Sequence, residues 1–480
     1  MPRPPSRKPF HRGQPPRGGR PSGRPTDRPV RTLSAREVVF RRIAQQTRRF
    51  PDLDLEPLRT EGLNERDAAF AHAIEDAVLR RWITLGYIAE SSLSRPWVEA
   101  ETKLQATLLV GAAQLLLLDR TAPHAAVDEC VEWAKRSIRP GAGAIVNAVL
   151  RNIGRLSRDE NGEIVRRDRW NDGLDEIPLS DGTALALTDD VMPRDPLRRL
   201  SVATSHPLEL LRAWMKRMPM RDVRRLALHG VATPPTILNT MFLREPGLVE
   251  GFSEAHGVPG HRVFTGTRAQ LVDLLSSRND VWVQDPASTL AITSVSDLRP
   301  SLIVDSCAGM GTKTRLLAYT FPEAEVIATD VSPARFDTLT RTFASHPRVR
   351  VVPHKSLGDY NGRADLVVLD VPCSNSGVLA RRVEARYRFD ETRVRELAGI
   401  QRQIIADSVP LLARSASGAR TGAILYSTCS LDERENEAHV AWADRWHSLR
   451  AERTTLRLPE GGPGEAATAW TDGSFFVLLR

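Results

Sequence analysis

Two of the four cysteines in this 480-residue chain stand at the ends of short apolar runs of strand character. LVVLD ends at Asp370 and continues through Val371 and Pro372 to Cys373 and Ser374, and AILYSTCS carries Cys429 at its close. In open α/β sheets, ligands bind outside the carboxyl ends of strands, so the two thiols fall where a reacting group belongs. Such a pair could perform covalent catalysis. Carbon C5 of cytosine is a poor nucleophile toward a methyl sulfonium, but a thiolate added to C6 turns C5 into an enamine carbon that can attack the methyl. A base then removes the C5 proton and the thiol leaves, so one hard step becomes several easier ones. A free thiol has a pKa near 8.5 and needs local activation. One cysteine would attack and the other assist release. Asp370 is placed to bind the N3/N4 edge of the base, so that charge developing on addition meets a fixed hydrogen-bonding group. The other two thiols have plainer readings. Cys130 lies in the helical pattern VDECVEWAKR and Cys307 in a glycine-containing turn, and packing is expected of both.

A second cluster precedes the pair. SLIVD ends at Asp305, and Ser306, Cys307, Ala308, Gly309, Met310, Gly311, Thr312 and Lys313 lead into a helix containing RLLAY. A strand, a glycine turn and a helix N-terminus let a ligand approach the backbone closely. The turn is neither GxGxxG nor GxxxxGK[ST], so a pyrophosphate is a poor fit. Asp330 ends the next strand, and a carboxylate there can accept both hydroxyls of a ribose. Adenosine with a non-phosphate tail fits best, and S-adenosylmethionine is the leading candidate. Lys313 is one of only six lysines among 67 basic residues.

These residues need a sheet to hold them. From about residue 300, SLIVD, EVIATD, RVRVV, ADLVVLD and AILYSTCS are Val/Ile/Leu-rich runs separated by stretches that can form helices. That pattern predicts a parallel sheet covered on both faces, assigned to residues 291–480, with FFVLLR as an antiparallel strand at the sheet's end. Residues 34–157 read as helical throughout. Ser34 and Asn64 are candidate N-caps, Phe70, Ile74, Ala77, Val78, Trp82 and Leu85 recur at helical spacing, and LQATLLVGAAQLLLL is apolar nearly all round, as the central helix of a bundle would be. Residues 158–200, with RDENGE, RRDRWNDG and SDG, read as a linker or surface insertion. Residues 201–290 read as a small connecting subdomain, with helices over 205–230 and strand candidates in TPPTILNTMF and VWVQDPAS. The expected fold class is therefore multidomain: an all-α bundle followed by a Rossmann-like α/β domain.

Composition bounds the function classes. The net charge is +8, and residues 1–31 alone carry nine Lys/Arg against one Asp, so the basicity belongs to the tail and the rest of the chain is neutral. That tail, with nine prolines, is expected to be disordered over residues 1–33 and to add either salt-sensitive phosphate binding or solubility. The longest apolar run, Ala106–Leu118, is shorter than the roughly 20 residues of a membrane span. No apolar stretch follows the basic N-terminus, so a secretory signal is not expected. Four cysteines form no disulfide framework, and a reducing cytoplasm is the expected compartment. No metal and no membrane partner are expected.

DSCAGMGTKT, ATD, LDVPCSNSGV and YSTCSLDERENE resemble motifs I, II, IV and VI of the RNA cytosine-C5 methyltransferases. The Pro-Cys and Thr-Cys pair, in that order, is specific to that group. RDAAFAHAIEDAVLRRW, GAAQLLLLDRTAPHAAVDECVEWAK and GAIVNAVLRNI are similar to a NusB-like domain. Together these are the architecture of the RsmB (Sun/Fmu) family of small-subunit rRNA methyltransferases, and the resemblance covers about residues 34–157 and 205–480. It implies a class I methyltransferase fold, S-adenosylmethionine as cofactor, small-subunit rRNA as partner and a monomer. It implies Cys429 as nucleophile and Cys373 as the release cysteine, Cys307 to Lys313 around the methionine portion, Asp330 at the ribose, and Asp370 in the cleft between cofactor and substrate. It also implies that Arg386, Tyr387 and Arg388 face RNA.

The sequence departs from the family in two places. Motif I usually reads CAAPGGKT, and here Gly309, Met310 and Thr312 replace Ala, Pro and the second Gly. The acidic residue that the family carries near the adenine has no counterpart in Pro353, His354, Lys355 and Ser356, with Asp359 a little later, so the adenine contact stays open. Two other functions share the motifs: a tRNA-directed enzyme of the same chemistry, and a catalytically silent RNA-binding or ribosome assembly factor. The presence of both cysteines speaks against the silent factor. A DNA methyltransferase is disfavoured, since those use the Pro-Cys cysteine as nucleophile.

Overall fold

The computed structural model describes residues 34–119 and 121–480. The expected disordered tail lies outside the described residues. The first unit is helical: α1 (Ala35–Arg49), α2 (Glu65–Arg80), α3 (Trp82–Glu90), α4 (Thr102–Leu116), α5 (Pro123–Ser137) and α6 (Ala142–Leu156). Ser34 and Asn64 cap α1 and α2 by accepting from the amides of Glu37 and Asp67. From Leu104 onward α4 buries every residue but Gln105, as its all-round apolar sequence requires. The apolar pattern that spans α2 and α3 is broken at Arg81, which leaves helical geometry and sends its buried guanidinium to the carbonyl of Pro178.

Residues 158–200, expected to be a linker or surface insertion, are folded. They form an antiparallel sheet of β1 (Arg166–Arg167), β2 (Glu176–Pro178) and β3 (Ala184–Ala186), with β3 in the middle. Ile177, Leu185, Leu187 and Met192 join the core of the helical unit. Strands of two or three residues are too short to show alternation in sequence. The buried Glu176 shapes the turn, accepting from the amides of Asn171 and Gly173 and from Arg167.

Helices α7 (Pro196–Thr204), α8 (Leu208–Met215) and α9 (Met220–Val231) pack around Leu210, Leu211, Trp214 and Leu226. A four-stranded antiparallel sheet follows, in the order β5 (Ser253–Ala255), β6 (His261–Phe264), β4 (Ile237–Asn239), β7 (Trp282–Val283), with α10 (Gly247–Glu250) and α11 (Arg268–Ser277) in its connections. The strand candidates in TPPTILNTMF and VWVQDPAS are β4 and β7. Helix α12 (Pro286–Thr293) leads into the last unit.

That unit is a seven-stranded sheet of β8 (Leu302–Asp305), β9 (Glu325–Ala328), β10 (Val349–Val351), β11 (Leu366–Asp370), β12 (Ala423–Thr428), β13 (Ala451–Arg457) and β14 (Ser474–Leu479). The spatial order is β10-β9-β8-β11-β12-β14-β13, parallel through β12 and antiparallel from β14. Helices α13 (Thr312–Thr320), α14 (Pro333–Phe343), α15 (Val383–Tyr387), α16 (Glu391–Ser408) and α17 (Glu437–His447) complete it. Successive residues of β11 alternate between two cores: Leu366 and Val368 pack on one face, Val367 and Leu369 on the other. Both faces are buried, so the strands read as continuous apolar runs. FFVLLR is antiparallel as expected but is not the edge. That place is taken by β13, whose half-exposed sequence AERTTLR lacks an apolar run.

Candidate active site

Strand β8 delivers Asp305 to the base of the cofactor turn. Gly309 and Gly311 both hold positive φ, +59° and +95°, which few L-residues adopt. At Gly311 a side chain would also strike Phe343, at 2.5 Å from the ideal Cβ. The turn is pinned to the neighbouring strand end, with Gly309 N–H donating to Asp330 Oδ2 at 3.0 Å and Ser332 N–H to Oδ1 at 2.8 Å. The departures from the family motif therefore leave a formed turn, and Met310 is exposed at its tip. Thr314 donates to Asp305 Oδ2 at 2.7 Å. Asp305 Oδ1, Ser306 Oγ and Thr329 Oγ1 are buried with no partner among the described residues. Burial pushes the Asp305 carboxyl up to about 7.

Strands β11 and β12 are parallel neighbours, with Asp370 opposite Ser427. Their exit loops bring Cys373 and Cys429 together, Sγ to Sγ 3.3 Å. Gly377 permits this approach, since a Cβ there would lie 2.8 Å from the Cys429 carbonyl. Asn375 holds φ +60°, donates from Nδ2 to the Cys373 carbonyl at 2.9 Å, and accepts from the Cys429 thiol at 3.3 Å. The hydrogen bond to Cys429, burial, and the charges of Cys429 and Glu435 raise the Cys373 thiol well above its ordinary pKa, so Cys373 keeps its proton at neutral pH. Lys313, at the first turn of α13, donates to Asp370 Oδ2 at 2.7 Å, and Ser427 donates to Oδ1 at 3.2 Å. Burial works against the ammonium, but the Asp370 carboxylate outweighs it and holds the Lys313 pKa above the usual lysine value. A fixed positive charge thus stands within electrostatic reach of Cys429.

One cavity of about 1200 Å³ joins the two clusters. Of the residues predicted from sequence, Cys307, Ala308, Gly309, Met310, Thr312, Lys313, Asp330, Asp370, Cys373 and Cys429 line it, and Gly311 stands behind the wall. Ligand pockets usually measure about 300–1,000 Å³, so there is room for a cofactor and a flipped base. An adenosyl amino acid fits these walls: Gly309 leaves the backbone bare at the cavity, and the Asp330 carboxylate stands beside it. Cys307 and Cys130 are both pushed up, chiefly by burial, and pack against apolar neighbours. Where the acidic adenine contact was sought, His354 and Asn361 line the wall and Asp359 does not.

The basic-aromatic segment is corrected by the structure. Arg386 is fully buried and donates to the carbonyls of Arg80, Thr204, Gly230 and Leu379. Tyr387 is buried too, and its hydroxyl donates to the Leu79 carbonyl at 2.7 Å. Neither faces solvent, and both fasten the helical unit to the catalytic one. Arg388 stays partly exposed, bonded to Glu384, and lines a smaller cavity of about 180 Å³ with Cys373, Asn375 and Arg393.

Sequence reasoning missed the far wall. Arg381 bridges Asp472 (2.7 Å) and Asp285 (3.0 Å), and Asp285 caps α12 through the Ala287 amide. Burial and the neighbouring Asp285 raise Asp472 to about 7. No local motif marks these three residues, which lie in separate loops. Among the described residues no cluster of His, Cys, Asp or Glu could hold a metal ion.

Residues 296–461 match the family described as 16S rRNA methyltransferase RsmB/F, and residues 31–155 match the NusB family. The chain is 27% identical over 468 residues to the ribosomal RNA small subunit methyltransferase B of Escherichia coli O157:H7, covering 94% of this chain and 98% of that protein. It is 26% identical over 437 residues to the enzyme of the same name from Vibrio cholerae, covering 88% and 92%. Among solved structures, PH0851 superposes with a TM-score of 0.62 at 18% identity, over 94% of this chain and all of that one, which shows a shared fold.

Proposed function

With residues 296–461 belonging to the RsmB/F methyltransferase family and residues 31–155 to the NusB family, we propose that the protein methylates C5 of a cytosine in 16S rRNA through a covalent cysteine adduct. The family uses S-adenosylmethionine, and when bound this cofactor supplies an electrophilic methyl group. The turn Cys307–Lys313 would hold its amino-acid end and Asp330 its ribose. Cys429, beside the Lys313 ammonium, is the nucleophile: its thiolate bonds to C6 and the electron pair moves to C5. Asp370, oriented by Lys313 and Ser427, receives the N3/N4 edge. After C5 is alkylated a base takes its proton, the C5–H electron pair restores the C5–C6 double bond, and the C6–sulfur pair leaves with Cys429. Cys373, protonated and touching Cys429, serves that release. The single observation that carries this reading is the 3.3 Å thiol contact inside the cavity that also contains the cofactor turn.

The helical unit and the Arg-rich tail are assigned to RNA binding, the first through shape and the second through phosphate charge. The test is methylation of total RNA and of small ribosomal subunits by the purified full chain, mapped by bisulfite sequencing. A new protected cytosine in 16S rRNA is the expected result. Protection in tRNA alone would redirect the substrate, and methylation at an atom other than C5 would overturn the mechanism.

A further inference from the structure

Behind the two cysteines lies a buried carboxylate that the methyl-transfer scheme does not use. Glu435, in the ERE turn before α17, is fully buried. Its Oε1 accepts the Ser374 amide at 2.9 Å and Gln401 Nε2 at 3.0 Å, and its Oε2 accepts the hydroxyls of both Ser374 and Ser430. Ser374 directly follows Cys373, and Ser430 directly follows Cys429. One carboxylate therefore grips the residue next to each thiol. Its own backbone is held by Tyr426, whose hydroxyl donates to the Glu435 carbonyl at 2.6 Å. Gln401 is oriented by His439 at 2.7 Å and also donates to the Pro372 carbonyl, one residue before Cys373. Asn436 adds a brace on the other loop, accepting from Thr428 and donating to the Ser430 carbonyl.

Burying a carboxylate without a cation is costly unless hydrogen bonds compensate it. Among the described residues no lysine or arginine is bonded to this one, and four donors from two loops and a helix take its place. We infer that Glu435 is a positioning residue that clamps the exit loops of β11 and β12 so that Cys373 stays in contact with Cys429. This deepens the proposed mechanism and rests on it for its catalytic meaning, although the clamp itself can be measured without RNA. Gln has the shape of Glu but replaces an acceptor oxygen with a donor NH₂. That group would face either the two serine hydroxyls, which would have to turn from donors into acceptors, or the Ser374 amide, donor against donor, and the clamp would loosen.

The test reads thiol proximity in the full-length protein. Diamide takes two electrons and two protons from a thiol pair, leaving a disulfide and a hydrazine, and the loss of two titratable thiols reports the coupling of Cys373 to Cys429. Mass spectrometry of the peptides identifies the pair. Glu435→Gln is expected to couple about ten-fold or more slowly, since sub-ångström placement governs such reactions. S-adenosylmethionine affinity, measured by calorimetry, is expected to stay at the parent value and to show that the domain is folded. A purely electrostatic role predicts the opposite sign: the Glu435 charge helps to keep Cys373 protonated, so removing it would speed coupling. A coupling rate equal to or above the parent's overturns the inference. If Glu435→Gln fails to fold, Ser374→Ala, which removes one clamp hydroxyl and keeps the amide donor, carries the same test, with slower coupling in support and an unchanged rate against. In the presence of RNA, Glu435→Gln is expected to accumulate a denaturation-resistant adduct, as is expected of Cys373→Ala, because attack proceeds and release fails. If no variant forms an adduct while coupling is still slowed, the methylation scheme fails and the clamp stands.

Discussion

At the cofactor turn, Asp305 Oδ1, Ser306 Oγ and Thr329 Oγ1 are buried without a partner, whereas around the cysteines both oxygens of Glu435 and the hydroxyls of Ser374, Ser376 and Ser430 are bonded within the protein. The turn is backbone and glycine. The thiol cleft is a cross-linked set of side chains from two loops and a helix. An unpaired buried polar group costs about 1–3 kcal/mol, and of the three residues only Ser306 lines the cavity, so the fold carries this cost behind the turn. A nucleophile gains from the opposite arrangement, because rate depends on a geometry that exists before substrate arrives. One end of the cavity is thus walled by bare backbone with uncompensated polar groups behind it, and the other by a closed hydrogen-bond network.

The largest test of this division is chemical. Cys429→Ala is expected to lower methylation by at least about 10³-fold and to form no RNA adduct, while Cys373→Ala traps a denaturation-resistant adduct because attack proceeds and release fails. Both variants should bind S-adenosylmethionine like the parent. An adduct seen with Cys429→Ala and absent with Cys373→Ala would reverse the two roles.

Next in size is a stability effect at the open end. Asp305 titrates near 7 when folded and near 3.8 when unfolded. Between about pH 4 and pH 7 the unfolded chain has lost this proton and the folded protein keeps it, so stability falls as pH rises. Asp305→Asn, which can still accept from Thr314, removes that loss. At pH 8 it is expected to be more stable than the parent in urea by about 2–4 kcal/mol, from a shift of roughly three units at 1.36 kcal/mol each. Asp472 titrates in the same window, so the parent's slope should flatten in the variant and not vanish. Equal pH slopes in the two proteins would place the Asp305 proton elsewhere.

A third measurement separates cofactor from thiol chemistry. Asp330→Ala is expected to weaken S-adenosylmethionine binding about ten-fold or more, since hydrogen bonds to a charged group contribute about 1.5–3 kcal/mol each and 1.4 kcal/mol is a factor of ten. Coupling of the two cysteines by diamide should not change. If both fall together, the two ends of the cavity are one structural unit. The smallest effect is expected at Gly309, whose φ of +59° points into open space. There Gly309→Ala should cost only about 1 kcal/mol of left-handed strain, read as a few degrees of melting temperature.

The strands, the glycine turn and the two thiols were legible in the sequence because each is local. A strand buried on both faces must be a run of apolar residues, and a turn at positive φ selects glycine. The all-round apolar α4 was legible for the same reason. The three-stranded sheet of residues 158–200 was not, since β1, β2 and β3 are only two or three residues long and show no run of alternation. Arg381, Asp285 and Asp472 gave no signal because each is a single residue in its own loop.

Residue types and spacing by themselves determined which atoms can react: two thiols at strand ends, a carboxylate after each of the first two strands, and one scarce lysine in the turn between them. Only the tertiary structure decided what those atoms touch. Arg386 and Tyr387 have the composition of an RNA-facing segment, yet four backbone carbonyls, three of them from distant segments, converge on the guanidinium and draw it inside, because carbonyls buried at a junction need donors. Glu435 reads as one more charge in SLDERENE, and becomes the link between two cysteines 56 residues apart only when β11 and β12 pair side by side. Local pattern depends on neighbours in the chain, which a sequence displays. Hydrogen-bond partnership depends on neighbours in space, which the packing of the sheet and the helical unit creates.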